Sequence, residues 1–200
     1  VLAGNTLFAA LCTLVARTQP GAHIVMSVTA PGRLEEMLLS QGVTVSRARS
    51  GVRDMMHEVQ TSKARFAGNE SGGFIFPRLH PGFDAMFALA NMVKMLQLEQ
   101  IKLSEIVRDL PEFHLAFATV DCPWDAKGTV MRKLAESRHP DQKVELVDGI
   151  KLYDEDSWVL VLPDSFEPVF HVFAESESLA QSQLMVGEYS QLVEEMKAAP

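Results

Sequence analysis

Two short segments of this 200-residue chain carry side chains whose types and spacing could do chemistry. The first, Gly68-Asn69-Glu70-Ser71-Gly72-Gly73, sets an amide, a carboxylate and a hydroxyl between glycines. Glycine lets a backbone come close to a ligand, and Asn69, Glu70 and Ser71 would offer it donors and acceptors. The same composition suits a tight connection between a helix and a strand, and the residues alone leave both readings open. No Gly-Lys-Ser/Thr follows, so the segment is not a Walker loop. It also lacks the spacing and the following helix of a dinucleotide fingerprint. The second segment is the loop Pro163–Pro168, which holds Asp164, Ser165, Phe166 and Glu167. The six histidines are scattered singly, and none sits beside another ligand type at metal-binding spacing. His171 reads as a strand residue. No nucleophile elbow or Cys/His pair is present.

Charge and hydropathy narrow the partners. Residues 1–112 carry a net charge of +1 and residues 113–200 a net charge of −9, together the −8 of the whole chain. So wide a split supports two separately composed units, and it argues against nucleic acid, which needs a basic face. No apolar run approaches the roughly 18 residues of a membrane span. Cys12 and Cys122 form no metal or redox pair by spacing, as expected of a reducing, cytoplasmic setting. The opening Val1-Leu2-Ala3-Gly4 has no initiator Met or signal-peptide pattern, so the chain reads as a piece of a longer one.

The elements that would position these segments change style along the chain. Helical apolar spacing covers Thr6–Ala16, Arg33–Ser40, Val52–Gln60 and Ala85–Leu98, the last with Asp84 as N-cap. Strands are expected at His23–Val28 and Val43–Val45, and the apolar Phe74-Ile75-Phe76 follows the glycine-rich segment. Alternation of this kind predicts an α/β unit over 1–111, a mixed sheet flanked by helices that ends with a short helix capped by Ser104. Met86, Met92 and Met95 are expected in its core. Beyond it, His114–Val120, Lys143–Leu146, Ile150–Tyr153, Trp158–Leu162 and Val169–Ala174 read as strands, and Asp125–Ser137 and Ser178–Lys197 as helices. The expectation for 112–200 is a smaller α+β unit, a four-stranded antiparallel sheet carrying two helices.

Taken together, two segments resemble a known family. Gly68–Phe76, with Asp84 opening a helix behind it, resembles the sugar-recognition loop of the α-D-phosphohexomutases (phosphoglucomutase/phosphomannomutase), whose pattern is Gly-Glu-x-Ser-Gly-His. About ninety residues later, Trp158–Pro168 resembles the family's terminal phosphate loop, Arg-x-Ser-Gly/Asn-Thr-Glu-Pro. The resemblance covers essentially the whole chain. It implies the third (α/β) and fourth (α+β) domains, binding of hexose phosphate, and partner domains N-terminal to them in the same polypeptide. It implies no cofactor here, because the family's phosphoserine and its Mg2+-binding aspartate loop belong to the first two domains. No catalytic residue is assigned in this chain.

The departures from the pattern matter as much as the matches. Asn69 stands where the family has its sugar-gripping Glu, Ser71 keeps the hydroxyl, and Gly73 replaces the His. Arg49 stands where the family usually has Lys, which makes Asn69, Glu70, Ser71 and Arg49 the candidate sugar or phosphosugar ligands. In the phosphate loop Leu162 replaces Arg, Asp164 replaces Ser and Phe166 replaces Thr, with Ser165 between them. A dianionic phosphate wants a guanidinium fork and hydroxyls. A carboxylate about 4 Å away repels it by about 4 kcal/mol at an effective dielectric near 20. The loop is therefore expected to bind no phosphate, with Leu162 and Phe166 packed against the protein or a partner. The expected parent is catalytically degenerate. Asp121–Gly128 and Val130-Met131-Arg132 further resemble the mutase-like region fused behind a mannose-1-phosphate guanylyltransferase. The alternative is the C-terminal half of a working mutase, an intramolecular phosphotransferase that holds phosphate with Arg49 and Lys63 or Arg65.

Overall fold

A computed structural model describes residues 1–137 and 142–198. The chain divides into two compact units, Val1–Phe113 and His114–Pro200.

In the first unit the order is α1 (Gly4–Thr18), β1 (His23–Ser27), α2 (Gly32–Ser40), β2 (Thr44–Ala48), α3 (Val52–Ser62), β3 (Phe66–Gly68), β4 (Phe74–Ile75), α4 (Ala85–Glu99) and α5 (Leu103–Arg108). The sheet order is β2-β1-β3-β4, with β2, β1 and β3 parallel and β4 antiparallel. Buried parallel strands need cover on both faces. Leu34 and Leu38 of α2, with α1, α4 and α5, close one face over Ile24, Met26 and Phe66. Met55 and Val59 of α3 close the other over Val25, Ala48 and Ala67. Every residue from Phe8 to Ala16 of α1 is buried, which is why its sequence is apolar nearly all round. The chain thus leaves β1 toward one face and β2 toward the other. In open α/β sheets such a divergence is where ligands are bound, at the carboxyl edge of the strands.

Three local expectations change. β2 runs on to Ala48, past the short run ending at Val45. Pairing with β1 through Ser27↔Ala48 extends it. Ser104 lies inside α5 rather than capping it; Glu105 Oε2 accepts from the Lys102 N–H at 2.8 Å and does the work at that end. Met95 is core and Met92 packs at its margin, but Met86 is exposed on the outer face of α4. Asp84 does cap α4, its Oδ1 accepting from the Phe87 N–H at 2.8 Å.

The second unit runs β5 (Leu115–Asp121), α6 (Trp124–Ser137), β6 (Val144–Glu145), β7 (Ile150–Asp154), β8 (Ser157–Pro163), β9 (Val169–Glu175) and α7 (Leu179–Ala198). Its sheet is antiparallel throughout, in the order β5-β9-β8-β7-β6. The α+β class is as expected, but the strands number five rather than four. β5 joins the hairpin series because it pairs along the full length of β9, from Leu115↔Glu175 to Asp121↔Val169. α6 and α7 cover one face, where Val130, Leu134, Val186 and Val193 pack on Val159, Val161, Phe170 and Val172. No helix among the described residues is long and apolar enough to cross a membrane.

Removing the α4 cap should be felt in the first unit. Asp84→Ala is expected to cost about 1 kcal/mol in chemical denaturation, and an unchanged midpoint would show that the cap contributes nothing.

Candidate functional site

Three parallel strands that end at one edge bring the residues following them together. Thr29 follows β1, Arg49 follows β2, and Asn69, Glu70 and Ser71 follow β3. Two features that the sequence did not single out build this edge. The first is Arg47, whose guanidinium is nearly buried. It pairs with Glu35 at 2.7 Å and donates to the carbonyls of Ser27, Val28 and Ala30 at 3.3, 3.2 and 2.9 Å. Those carbonyls belong to the turn between β1 and α2, so one planar fork fixes its course. The second is a hydroxyl relay on that turn. The Ser27 and Thr29 hydroxyls lie 2.7 Å apart, and Thr29 Oγ1 donates to Glu70 Oε1 at 2.8 Å.

The glycine-rich loop is shaped by its own groups. Asn69 Oδ1 accepts from the Gly73 N–H at 3.1 Å, and the Asn69 carbonyl accepts from Gly72 at 3.2 Å. Gly72 has φ +88°, a conformation that strains other residues. Asn69 is thus engaged in holding the turn. Glu70 differs: its second oxygen, Oε2, is buried and has no hydrogen-bond partner. A desolvated carboxylate oxygen without a donor costs roughly 1–3 kcal/mol or more, so the position calls for a hydroxyl or amine. Ser71 is exposed beside it. The α1 terminus closes this side, because a Cβ on Gly4 would collide with the Glu70 carbonyl oxygen.

Arg49 shares the carboxyl edge, but Lys63 and Arg65 do not. Both precede β3, and the Arg65 N–H donates to the carbonyl of His23 at the start of β1. The length of β1, roughly 3.3 Å per residue, lies between them and Arg49.

In the second unit, Pro163–Pro168 links β8 to β9. Here Asp164 acts as the loop's own anion. Its Oδ1 accepts from the Phe166 and Glu167 N–H groups, both at 2.7 Å, and its Oδ2 lies 2.9 Å from His171 Nε2. Lys127 of α6 donates to the Asp164 carbonyl at 2.6 Å and to that of Glu167. Leu162 is buried on β8, paired with His171. Phe166 does not pack against this unit: it is 90% exposed, which leaves a partner surface as the remaining part of the expectation. The turn directs the Phe166 N–H inward to Asp164 and leaves its ring outside. Ser165 is exposed as well. Burial raises the Asp164 pKa, but the bonds from His171 and the two amides outweigh it and hold the carboxyl below its ordinary value.

Among the described residues, no three His, Cys, Asp or Glu side chains converge to hold a metal ion. Cys12 and Cys122 are free and buried, and burial raises both thiol pKa values.

A mixed α/β unit with a glycine-rich loop at its carboxyl edge, followed by an antiparallel α+β unit, can be compared with known proteins. The family model for phosphoglucomutase/phosphomannomutase, alpha/beta/alpha domain III, matches residues 3–113, and the chain belongs to that family. It is 28% identical over 191 residues to a probable phosphoglucosamine mutase of Methanopyrus kandleri, covering 94% of this chain and 42% of that protein. It is 26% identical over 186 residues to a phosphoglucomutase/phosphomannomutase of Thermococcus kodakarensis, covering 92% and 41%. The chain therefore spans less than half the length of these relatives. The fold matches that of a phosphoglucomutase/phosphomannomutase family protein from Burkholderia thailandensis with TM-score 0.76 at 20% identity, covering 97% of this chain and 41% of that one. It also matches Aspergillus fumigatus N-acetylphosphoglucosamine mutase in complex with GlcNAc-6P and magnesium, with TM-score 0.67 at 11% identity over 96% and 47%.

Two substitutions probe these sites. Gly4→Ala forces a methyl group into the Glu70 backbone and is expected to cost about 1–3 kcal/mol in a urea melt, with NMR shifts centred on residues 69–73. Full stability with an undisturbed loop would remove α1 from the site. For Asp164, the lowered pKa sets the sign. Its contribution is complete above the ordinary carboxylate value near pH 4 and is lost as pH falls through the lower folded value. Asp164→Asn should therefore be the less stable form near neutrality and converge on the parent in acid. Parallel stability curves would show that the carboxylate charge is not used.

Proposed function

We propose that this chain is the sugar-binding and structural half of a phosphoglucomutase/phosphomannomutase-like protein of sugar-phosphate metabolism, with a terminal loop that no longer takes phosphate. The observation that carries this reading is Asp164. Its carboxylate accepts from the Phe166 and Glu167 N–H groups, and Lys127 of α6 is turned onto the loop's carbonyls. A phosphate entering there would have to displace a bonded carboxylate and meet its charge. Losing the bidentate guanidinium and adding repulsion together remove several decades of affinity.

Sugar hydroxyls are a different matter. Glu70 Oε2 offers a buried acceptor, Thr29 fixes the other oxygen, and exposed Ser71 adds a hydroxyl. Glu70 rather than Asn69 is the principal hydroxyl acceptor in this reading, because Asn69 Oδ1 holds the turn. Asn69 and Arg49 line the same edge as secondary contacts. The phosphoserine and any Mg2+ would lie in domains outside these 200 residues. The active-mutase alternative loses support from the separation of Arg49 from Lys63 and Arg65. A place behind a mannose-1-phosphate guanylyltransferase rests on the Asp121–Arg132 segment alone, and cytoplasmic action on two free cysteines.

Heteronuclear NMR with millimolar mannose-1-phosphate or glucose-1-phosphate tests this reading. Weak shifts are expected at Thr29, Glu70 and Ser71 and abolished by Glu70→Gln, with none at Asp164–Glu167. Saturable shifts confined to Asp164–Glu167 would overturn it. So would mannose-1-phosphate/mannose-6-phosphate interconversion by the full-length parent at the rate of ordinary family members.

A further inference from the structure

We propose that the Asp164–Glu167 turn, with Trp124 beside it, is a docking knob for a basic, arginine- or lysine-bearing segment of a protein partner. The inference rests on the reading that this loop has given up phosphate, and it supplies a use for what replaced it. Phe166 projects from the turn 90% exposed, and Trp124 is 53% exposed. The two belong to one surface. Lys127 Nζ stands 3.9 Å from the Trp124 ring centroid while bonding the carbonyls of Asp164 and Glu167. The Cys122 N–H also donates to the Pro168 carbonyl at 2.7 Å, which ties the approach to Trp124 to the end of the loop.

Three features favour a protein surface of positive charge. The turn is rigid before any partner arrives, held by Asp164, His171 and Lys127, so little ordering remains to be done on binding. Exposed aromatic anchors are the residues that dominate protein interfaces, and one projecting ring suits insertion between side chains better than it suits stacking on a sugar. The charge around it is negative. Asp121, Asp125 and Glu167 are exposed. Two lysines beside it are engaged: Lys127 is buried on the two carbonyls, and Lys197 binds the Asp121 carbonyl at 2.7 Å and pairs with Glu194. A basic segment would meet aromatic rings, for cation–π contact, and exposed carboxylates together.

The test uses the full chain and three short fluorescent peptides of matched length, built from Arg/Gly, Glu/Gly and Ser/Gly, read by anisotropy at low and high salt. The Arg/Gly peptide is expected to bind, and the other two are not. Phe166→Ser and Glu167→Lys are each expected to weaken it about tenfold or more. Glu177→Lys makes the same charge change beyond the other end of β9 and should leave binding nearly unchanged. Because the Phe166 side chain is almost wholly exposed, Phe166→Ser should not disturb folding. Absence of Arg/Gly binding overturns the proposal, as does equal weakening by Glu177→Lys, which would reveal diffuse attraction to an acidic unit. A parallel titration with inorganic phosphate keeps the two readings apart. Phosphate shifts at the Phe166 and Glu167 amides would overturn the loss of phosphate binding, whereas failure of peptide binding without them would overturn only the docking surface.

Discussion

Backbone N–H groups turned inward at the end of a strand must have an acceptor, and in the second unit that acceptor is a side chain from the same turn. Asp164 takes the Phe166 and Glu167 amides on one oxygen and His171 on the other. The consequences spread from this one carboxylate. It fixes the turn, so β8 and β9 meet in register. In the proposed reading it excludes a second anion by charge and by occupancy. It also leaves Phe166 outside, because the amide of that residue is committed inward. Lys127 completes the arrangement from α6 by binding the loop's carbonyls, so a cation that could have faced a ligand is absorbed into the scaffold.

The first unit is arranged differently. Its three parallel strands end at one edge, and Arg47 pins the turn after β1 through three carbonyls and Glu35. Thr29 then reaches the Glu70 carboxylate and leaves one buried oxygen with acceptor capacity to spare. The two units thus differ in the sense that matters for ligands. One presents an unsatisfied acceptor, and the other has satisfied its donors internally. Their charge balance agrees, near neutral in residues 1–112 and strongly acidic in 113–200.

Much of this was legible in the sequence, for physical reasons that also mark the limits. Alternating apolar runs and helical spacing located the elements, since burial on a sheet or one helix face leaves a period behind. Asp84 was legible as a cap because capping is local. The extension of β2 to Ala48 and the membership of β5 in the sheet were not, because each depends on pairing with a distant strand. Arg47 and Lys127 were missed for the same reason: a buried cation serving carbonyls leaves no motif, and only the fold brings those carbonyls together. Asp164, where the resemblance expects a phosphate-loop serine, was visible as added charge. That its carboxylate would face the turn's own amides needed the loop's path. Which of the two apolar loop residues packs inside was not legible, because apolar type alone says nothing about direction in a turn whose backbone is already committed: Leu162 is buried and Phe166 exposed.

The most direct measurement follows the backbone amide resonances of Phe166 and Glu167 by 15N NMR as the pH is lowered through the carboxylate range. If Asp164 fills the loop, both amides are strongly hydrogen-bonded at neutral pH. They then shift together upfield with a single midpoint below the ordinary aspartate value, and the transition disappears in Asp164→Asn. Amides that stay insensitive to pH, or that titrate at an ordinary aspartate value in step with exposed carboxylates, would contradict the internal anion and return the loop to the open state that phosphate binding requires.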